Sequence, residues 1–231
     1  MPMGFSVLLG VAVWLAPVQE RVASASYVYV RTELPDGTEQ LEPAPYVPQA
    51  GDLVLFRSGN WFFRAAFRLT VTGPPTHIGI VVALPDGTRA ILESVDRHAG
   101  VRLMALPGRL ETYSGKVWVR RIRRPLSPEQ SETLTQFAVE QAGKRYAIHR
   151  LIAPAILPIL RCGLFARLRP DKDYHLRRTW FCSELVAAAC VKIGLFPPSR
   201  IRPWCTFPLD FYDDGLLDLS ADWEPPYAWG R

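Results

Sequence analysis

No Cys-x-x-Cys pair and no His-x-x-x-His spacing occurs in the chain, so the common frameworks for a structural zinc are missing. Cysteine is scarce altogether, with four copies in 231 residues, at positions 162, 182, 190 and 205. If one of them is a free nucleophile, the other three are an odd remainder, which argues against a full disulfide framework and leaves the redox compartment undecided. No internal repeat or low-complexity tract stands out. Aromatic and basic residues do not interleave in the way a nucleic-acid platform needs, so no nucleic-acid partner is expected. What is present is ordinary for a globular protein: 48% hydrophobic residues, 21% charged residues and a formal charge of +5. Basic residues cluster at Arg120-Arg121-Ile122-Arg123-Arg124 and at Arg177-Arg178; they read as solvated surface, with a bias toward anionic surfaces left open.

The first 25 residues are ambiguous. No Lys or Arg precedes the apolar run from Met3 to Val18, and the run is short against the ~20 residues of a spanning helix. It suits the core of an export signal, with Ala23-Ser24-Ala25 as a small-x-small cleavage site, or an N-terminal anchor. Either places the protein outside the cytoplasm or at a membrane; the competing reading is a buried N-terminal helix in a cytoplasmic protein. Residues 26–50 look extended, with a turn at Pro35-Asp36-Gly37 and a connector carrying Pro43, Pro45 and Pro48. The main domain is expected over 51–231.

Within it, Gly51–Arg57 reads as a buried strand, and Asn60 to Val71 as a short helix broken by Gly73-Pro74-Pro75. Thr76–Ala83 and Arg89–Val95 flank the hairpin turn Pro85-Asp86-Gly87-Thr88. Val101–Leu103 and Lys116–Ile122 are further strands, giving an antiparallel meander. Ser127-Pro128-Glu129-Gln130 opens a helix that should stop at Gly143, because Pro suits the first helical position and early acids complement the dipole. The fold class is therefore α+β, an antiparallel sheet or barrel packed on helices. The tail from Asp210 onward reads as surface loop.

The chemistry gathers around Phe181-Cys182-Ser183-Glu184-Leu185-Val186. Leu185, Val186 and Ala189 recur at helical spacing, and Gly194 with Pro197-Pro198 ends the run, so Cys182 falls at the start of a buried helix. A thiolate there is stabilised by the dipole and by unpaired backbone N–H groups, and the same groups can hold an oxyanion. Taken alone, Cys182 reads as a small buried core residue; a base elsewhere changes that. His77 begins the first strand of the hairpin. With the turn centred near Asp86-Gly87, Glu93 on the return strand is close to its cross-strand neighbour. A carboxylate beside an imidazole fixes its tautomer and stabilises its cation, and such a dyad needs only a nucleophile. His77, Glu93 and Cys182 as zinc ligands is the metal alternative, which no ligand spacing supports; no cofactor is expected. His98, His149 and His175 read as surface, Cys190 as core and Cys205 as structural.

Five segments in order, Gly51–Arg57, Thr76–Val81, Glu93–Val95, Gly143-Lys144-Arg145-Tyr146 and Phe181–Val186, resemble the circularly permuted NlpC-type cysteine hydrolases of the YiiX/YaeF kind. The resemblance covers roughly Gly51 to Leu195. It implies a permuted papain-like fold, with Cys182 on the nucleophile, His77 on the base, Glu93 on the orienting polar residue and Tyr146 near the nucleophile. Tyr146 and Ser183 are the candidate substrate or oxyanion contacts. The chain departs from the family in carrying Ala147 where an acidic residue is common, and in an apolar-basic insert near 148–178. Pro154 and Pro158 argue against a straight span there; the insert reads as a lid, a lipid-facing surface or a helical pair on the core. Two functions follow: a hydrolase or acyltransferase acting on a peptide, lipid or small-molecule amide, ester or thioester, or a silent module of the same fold that grips cell-wall peptides or lipids.

Overall fold

The computed structural model describes residues 26–34, 38–57, 73–96, 98–147, 177–198, 201, 203–215 and 217–230. The N-terminal signal or anchor segment, the turn at 35–37, the 60–71 helix, most of the 148–178 insert, Cys162, His149 and His175 lie outside these residues. The described elements are β1 (Tyr27–Glu33), β2 (Glu39–Pro45), β3 (Leu53–Arg57), β4 (His77–Ala83), β5 (Arg89–Ser94), β6 (Val101–Ala105), α1 (Leu106–Glu111), β7 (Lys116–Arg120), α2 (Pro128–Gln141), β8 (Arg145–Tyr146), β9 (Thr179–Trp180), α3 (Cys182–Lys192) and β10 (Tyr227–Gly230). Eight strands form one antiparallel sheet in the order β2-β1-β10-β7-β3-β4-β5-β6, and β8 pairs with β9 in parallel. The class is α+β; β3 to β6 form a meander as expected, whereas β7, expected to continue it beyond β6, pairs instead with β3, since α1 carries the chain back across the sheet. Among the described residues no helix is long and apolar enough to cross a membrane.

The central strands are apolar at nearly every position because both faces of the sheet are covered. Leu53, Leu55, Ile78, Ile80 and Leu92 point toward α2 and α3 and meet Leu134, Phe137, Leu185, Val186 and Ala189. Val54, Phe56, Val81, Ile91 and Val119 point the other way into a second core closed by Leu106 and Leu110 of α1 and by Val28 and Tyr46. Each large side chain so covered contributes about 1.5–3 kcal/mol.

The helix ends follow from local chemistry. Ser127 caps α2 by accepting from the Gln130 backbone, while Gln130 Oε1 accepts from the Ser127 N–H, a reciprocal capping box. α3 is buried from Cys182 through Val191, which its run of three alanines permits at close helix–sheet distance. It ends in a Schellman motif: Gly194 adopts φ +77°, Leu195 N–H donates to Cys190 O and Gly194 N–H to Val191 O.

The tail differs from its expected surface-loop character. Leu217, Leu219 and Trp223 are buried, and Tyr227–Gly230 forms β10 between β1 and β7. Two strands with open edges and a matching Tyr-Ala-Trp stretch outweigh the proline and aspartate content that reads as loop. The 26–50 stretch joins the same sheet through β10. A buried carboxylate staples this side of the molecule: Asp52 accepts from Tyr46 Oη (3.0 Å), Gln49 N (2.9 Å) and Ile122 N (2.8 Å). Burial pushes the Asp52 carboxyl up to about 6, against the lowering effect of these donors.

Candidate active site

The hairpin β4–β5 places the base and its carboxylate. Leu84 N–H donates to Thr88 O, Gly87 takes φ +84°, and Ala83 pairs with Arg89, so the five-residue loop is centred on Asp86. Glu93 therefore faces Gly79, and His77 stands one diagonal step away on the same sheet face. Glycine at 79 suits this spot, since a Cβ there would lie 2.6 Å from Ile91. Across the diagonal, His77 Nε2 lies 2.8 Å from Glu93 Oε2. The same ring is close enough to the Cys182 side chain for the two to interact and raise its pKa. Because Nε2 is held by the carboxylate, Nδ1 is the nitrogen left for the sulfur. The ring also packs against Phe56, with centroids 5.5 Å apart.

Electrostatics fix the protonation states. Burial alone would lower the His77 pKa, but the hydrogen bonds with Cys182 and Glu93 and their charges outweigh it and raise it to about 9. Glu93 is fully buried, which by itself would raise its carboxyl; His77 and then Arg109 reverse that and hold it well below the usual carboxylate range. A carboxylate that stays ionised is an acceptor, so Nε2 carries the proton it shares with Glu93.

Cys182 opens α3 as expected, buried beside Trp180 and Phe181. The residue at the N-cap is Phe181, which supplies no side-chain cap to the N–H groups that start the helix. Glu184 accepts from the Phe181 N–H at 3.4 Å and forms an ion pair with Arg177, which neutralises a carboxylate two residues after the nucleophile. The strand leading into the helix is clamped. The Trp180 carbonyl accepts from Ser94 Oγ (2.8 Å) and Ala147 N (2.9 Å), and its indole N–H donates to the buried Gln141 (3.0 Å). Glu93 and Ser94, adjacent on β5, thus hold the base on one face of the sheet and the entry to the nucleophile on the other.

Tyr146 pairs with Trp180, and burial together with the negative charges of Cys182 and Asp96 raises its phenol pKa. Its phenol is thus close enough to Cys182 to feel the charge there. Ser183 is not exposed to it in the same way: its buried hydroxyl donates to Thr206 O at 2.8 Å, so what it offers an oxyanion is its backbone. Cys190 and Cys205 are buried, and burial pushes the Cys190 thiol up; His98 is exposed. Among the described residues no group of three or more His, Cys, Asp or Glu stands close enough together to hold a metal ion.

Three partners escaped the reading of the sequence. Arg102 sits directly opposite Glu93 on β6 and donates to Oε1 from Nε (3.0 Å) and Nη2 (2.9 Å). Arg109 of α1 donates to Oε1 from Nε (2.8 Å) and to Oε2 from Nη2 (3.1 Å). Asp96, next to Tyr146 in charge, is held in a turn by the N–H groups of His98 and Ala99. Cross-strand charge pairing could have found Arg102. Nothing local marks Arg109, whose Leu-Pro-Gly-Arg context reads as loop.

No protein-family model matches the chain, and no curated protein matches it in sequence. Among solved structures it is similar to "metalloprotein yiiX from Escherichia coli O157:H7, DUF1105", with 22% identity over 65% of this chain and 69% of that one, at a TM-score of 0.45.

Proposed function

We propose that this protein is a cysteine hydrolase of the permuted papain-like kind, cleaving an amide, ester or thioester through an acyl-enzyme on Cys182. The observation that carries the reading is a single one: His77 is hydrogen-bonded to a buried, ionised Glu93 and stands close enough to the Cys182 side chain for the sulfur to raise its pKa. That is the arrangement needed to move one proton between a nucleophile and a leaving group.

In this scheme the Cys182 proton rests on His77 Nδ1, where the raised pKa keeps it at neutral pH, and the sulfur attacks the substrate carbonyl carbon. The C=O π pair moves to oxygen, where the backbone N–H groups at the start of α3 stabilise it. His77 returns the proton to the departing nitrogen, oxygen or sulfur as that bond breaks, leaving a thioester on Cys182. Water then attacks the thioester, His77 takes its proton, and the acid leaves as the sulfur is regenerated. An acceptor other than water makes the same site a transferase. Tyr146, within electrostatic reach of Cys182, is the side chain assigned to contact the acyl group. The apolar run at residues 3–18 supports an exported or membrane-anchored setting, in which cell-envelope peptides or lipids are the substrates at hand.

The test is a set of serine variants on a panel of peptide amides and lipid esters. Cys182→Ser abolishes turnover with the fold kept, since serine is accepted at a helix start; Cys190→Ser and Cys205→Ser retain it. Full activity in Cys182→Ser refutes the assignment, and binding without any turnover in the wild type points to a silent module.

A further inference from the structure

The geometry points to Arg109 as a positioning residue that fixes the plane of the Glu93 carboxylate, and through it the aim of His77; this rests on the reading of Cys182, His77 and Glu93 as a hydrolytic site. The last torsion of a glutamate side chain is broad, so the chain alone does not decide which way the two oxygens face. Here five N–H donors converge on them. Arg102 sends both of its bonds to Oε1, at 3.0 and 2.9 Å. A carboxylate can turn about such a one-oxygen contact. Arg109 instead spans both oxygens, with Nε on Oε1 at 2.8 Å and Nη2 on Oε2 at 3.1 Å. That fork defines the carboxylate plane and leaves Oε2 in line with His77 Nε2 at 2.8 Å.

Arg109 is itself held. Its guanidinium lies 4.5 Å from the Phe56 ring centroid and 5.0 Å from that of Tyr113, and the two rings meet edge-on at 4.9 Å. Its side chain is 10% exposed, whereas that of Arg102 is 34% exposed. Phe56 also faces the His77 ring, so one aromatic wall locates both the base and the guanidinium. The two arginines thus divide the work. Arg102 adds positive charge at the rim, and Arg109 supplies direction.

The division predicts unequal results from the same substitution. Arg109→Lys and Arg102→Lys each keep the charge and lose the planar guanidinium, but only the first loses a fork across both oxygens. The readout is the rate at which iodoacetamide alkylates Cys182 at pH 6, followed by peptide mapping in the full chain, together with the low-field proton resonance of the His77 Nε2–H. Arg109→Lys slows alkylation roughly tenfold and broadens the resonance into solvent exchange, the effect of a misaimed base. Arg102→Lys slows it about two- to threefold at most and keeps the resonance. Tyr113→Leu, which alters no charge, moves both readouts in the direction of Arg109→Lys and keeps the inference testable if that variant does not fold. Equal losses in the two lysine variants, or an intact resonance in Arg109→Lys, overturn the role given to Arg109. Alkylation that ignores His77→Ala removes the hydrolase reading itself, which is a different failure.

Discussion

Asp52, just before β3, and Glu93, on β5, are both buried carboxylates, and they behave in opposite ways. Asp52 is met by a phenol and two backbone N–H groups, and its carboxyl rises to about 6. Glu93 is met by an imidazole and two guanidiniums and stays ionised far below that. Neutral donors satisfy the oxygens of a buried acid without offsetting the cost of its charge; cationic partners do both. The first arrangement serves as a staple between the connector and the exit of β7. The second keeps a permanent anion behind a base, which is what a nucleophilic site requires.

The largest effect that tests this contrast comes from emptying the cationic pocket. Glu93→Ala leaves Arg109 buried without its anion and should cost roughly 3–5 kcal/mol in denaturant unfolding. In activity it should cost one to two powers of ten less than loss of the nucleophile, about what separates an orienting group from an attacking one. Glu93→Gln keeps an acceptor for His77 without the charge, so kcat should fall in the order wild type, Glu93→Gln, Glu93→Ala.

Smaller effects should appear in the pH dependence of stability, with opposite signs. The folded pKa of Asp52, about 6, lies above its unfolded value, so its contribution is complete below pH 4 and lost as the pH rises through 6. Unfolding titrations of wild type against Asp52→Asn should show the difference shrinking by about 3 kcal/mol between pH 4 and 7. Glu93 contributes above its unfolded pKa and loses that contribution as the pH falls through its low folded value, so Glu93→Gln should lose most relative to wild type at neutral pH. His77, raised to about 9, contributes fully below pH 6.5 and loses it as the pH passes 9. At pH 7 Asp52→Asn should stand within about 2 kcal/mol of wild type, because the lost hydrogen bond is offset by the lost charge. A neutral pH cost for Asp52→Asn as large as that for Glu93→Ala would erase the distinction.

The hairpin, the capped helix α2 and the Cys182 helix were legible because each is written locally, in a Pro-Asp-Gly-Thr turn, a Ser-Pro-Glu-Gln start and an alanine-rich run closed by Gly194. The pairing of His77 with Glu93 followed from the turn, with its register slightly off because the loop holds an odd number of residues. Asp52 and Glu93 themselves look alike in sequence. What separates them, Arg102 from the next strand and Arg109 from a six-residue helix, is set by tertiary placement. β10 was hidden for a related reason: its partners β1 and β7 lie some two hundred and one hundred residues earlier in the chain.

The central claim is that Cys182 is an acylated nucleophile served by His77. Peptide mapping by mass spectrometry after incubation with an activated aryl ester measures this directly in the full chain. The account predicts an acyl adduct on Cys182 alone, decaying on standing in water, and its loss in His77→Ala. An adduct of equal yield in His77→Ala, or acylation spread over Cys190 and Cys205, would contradict it.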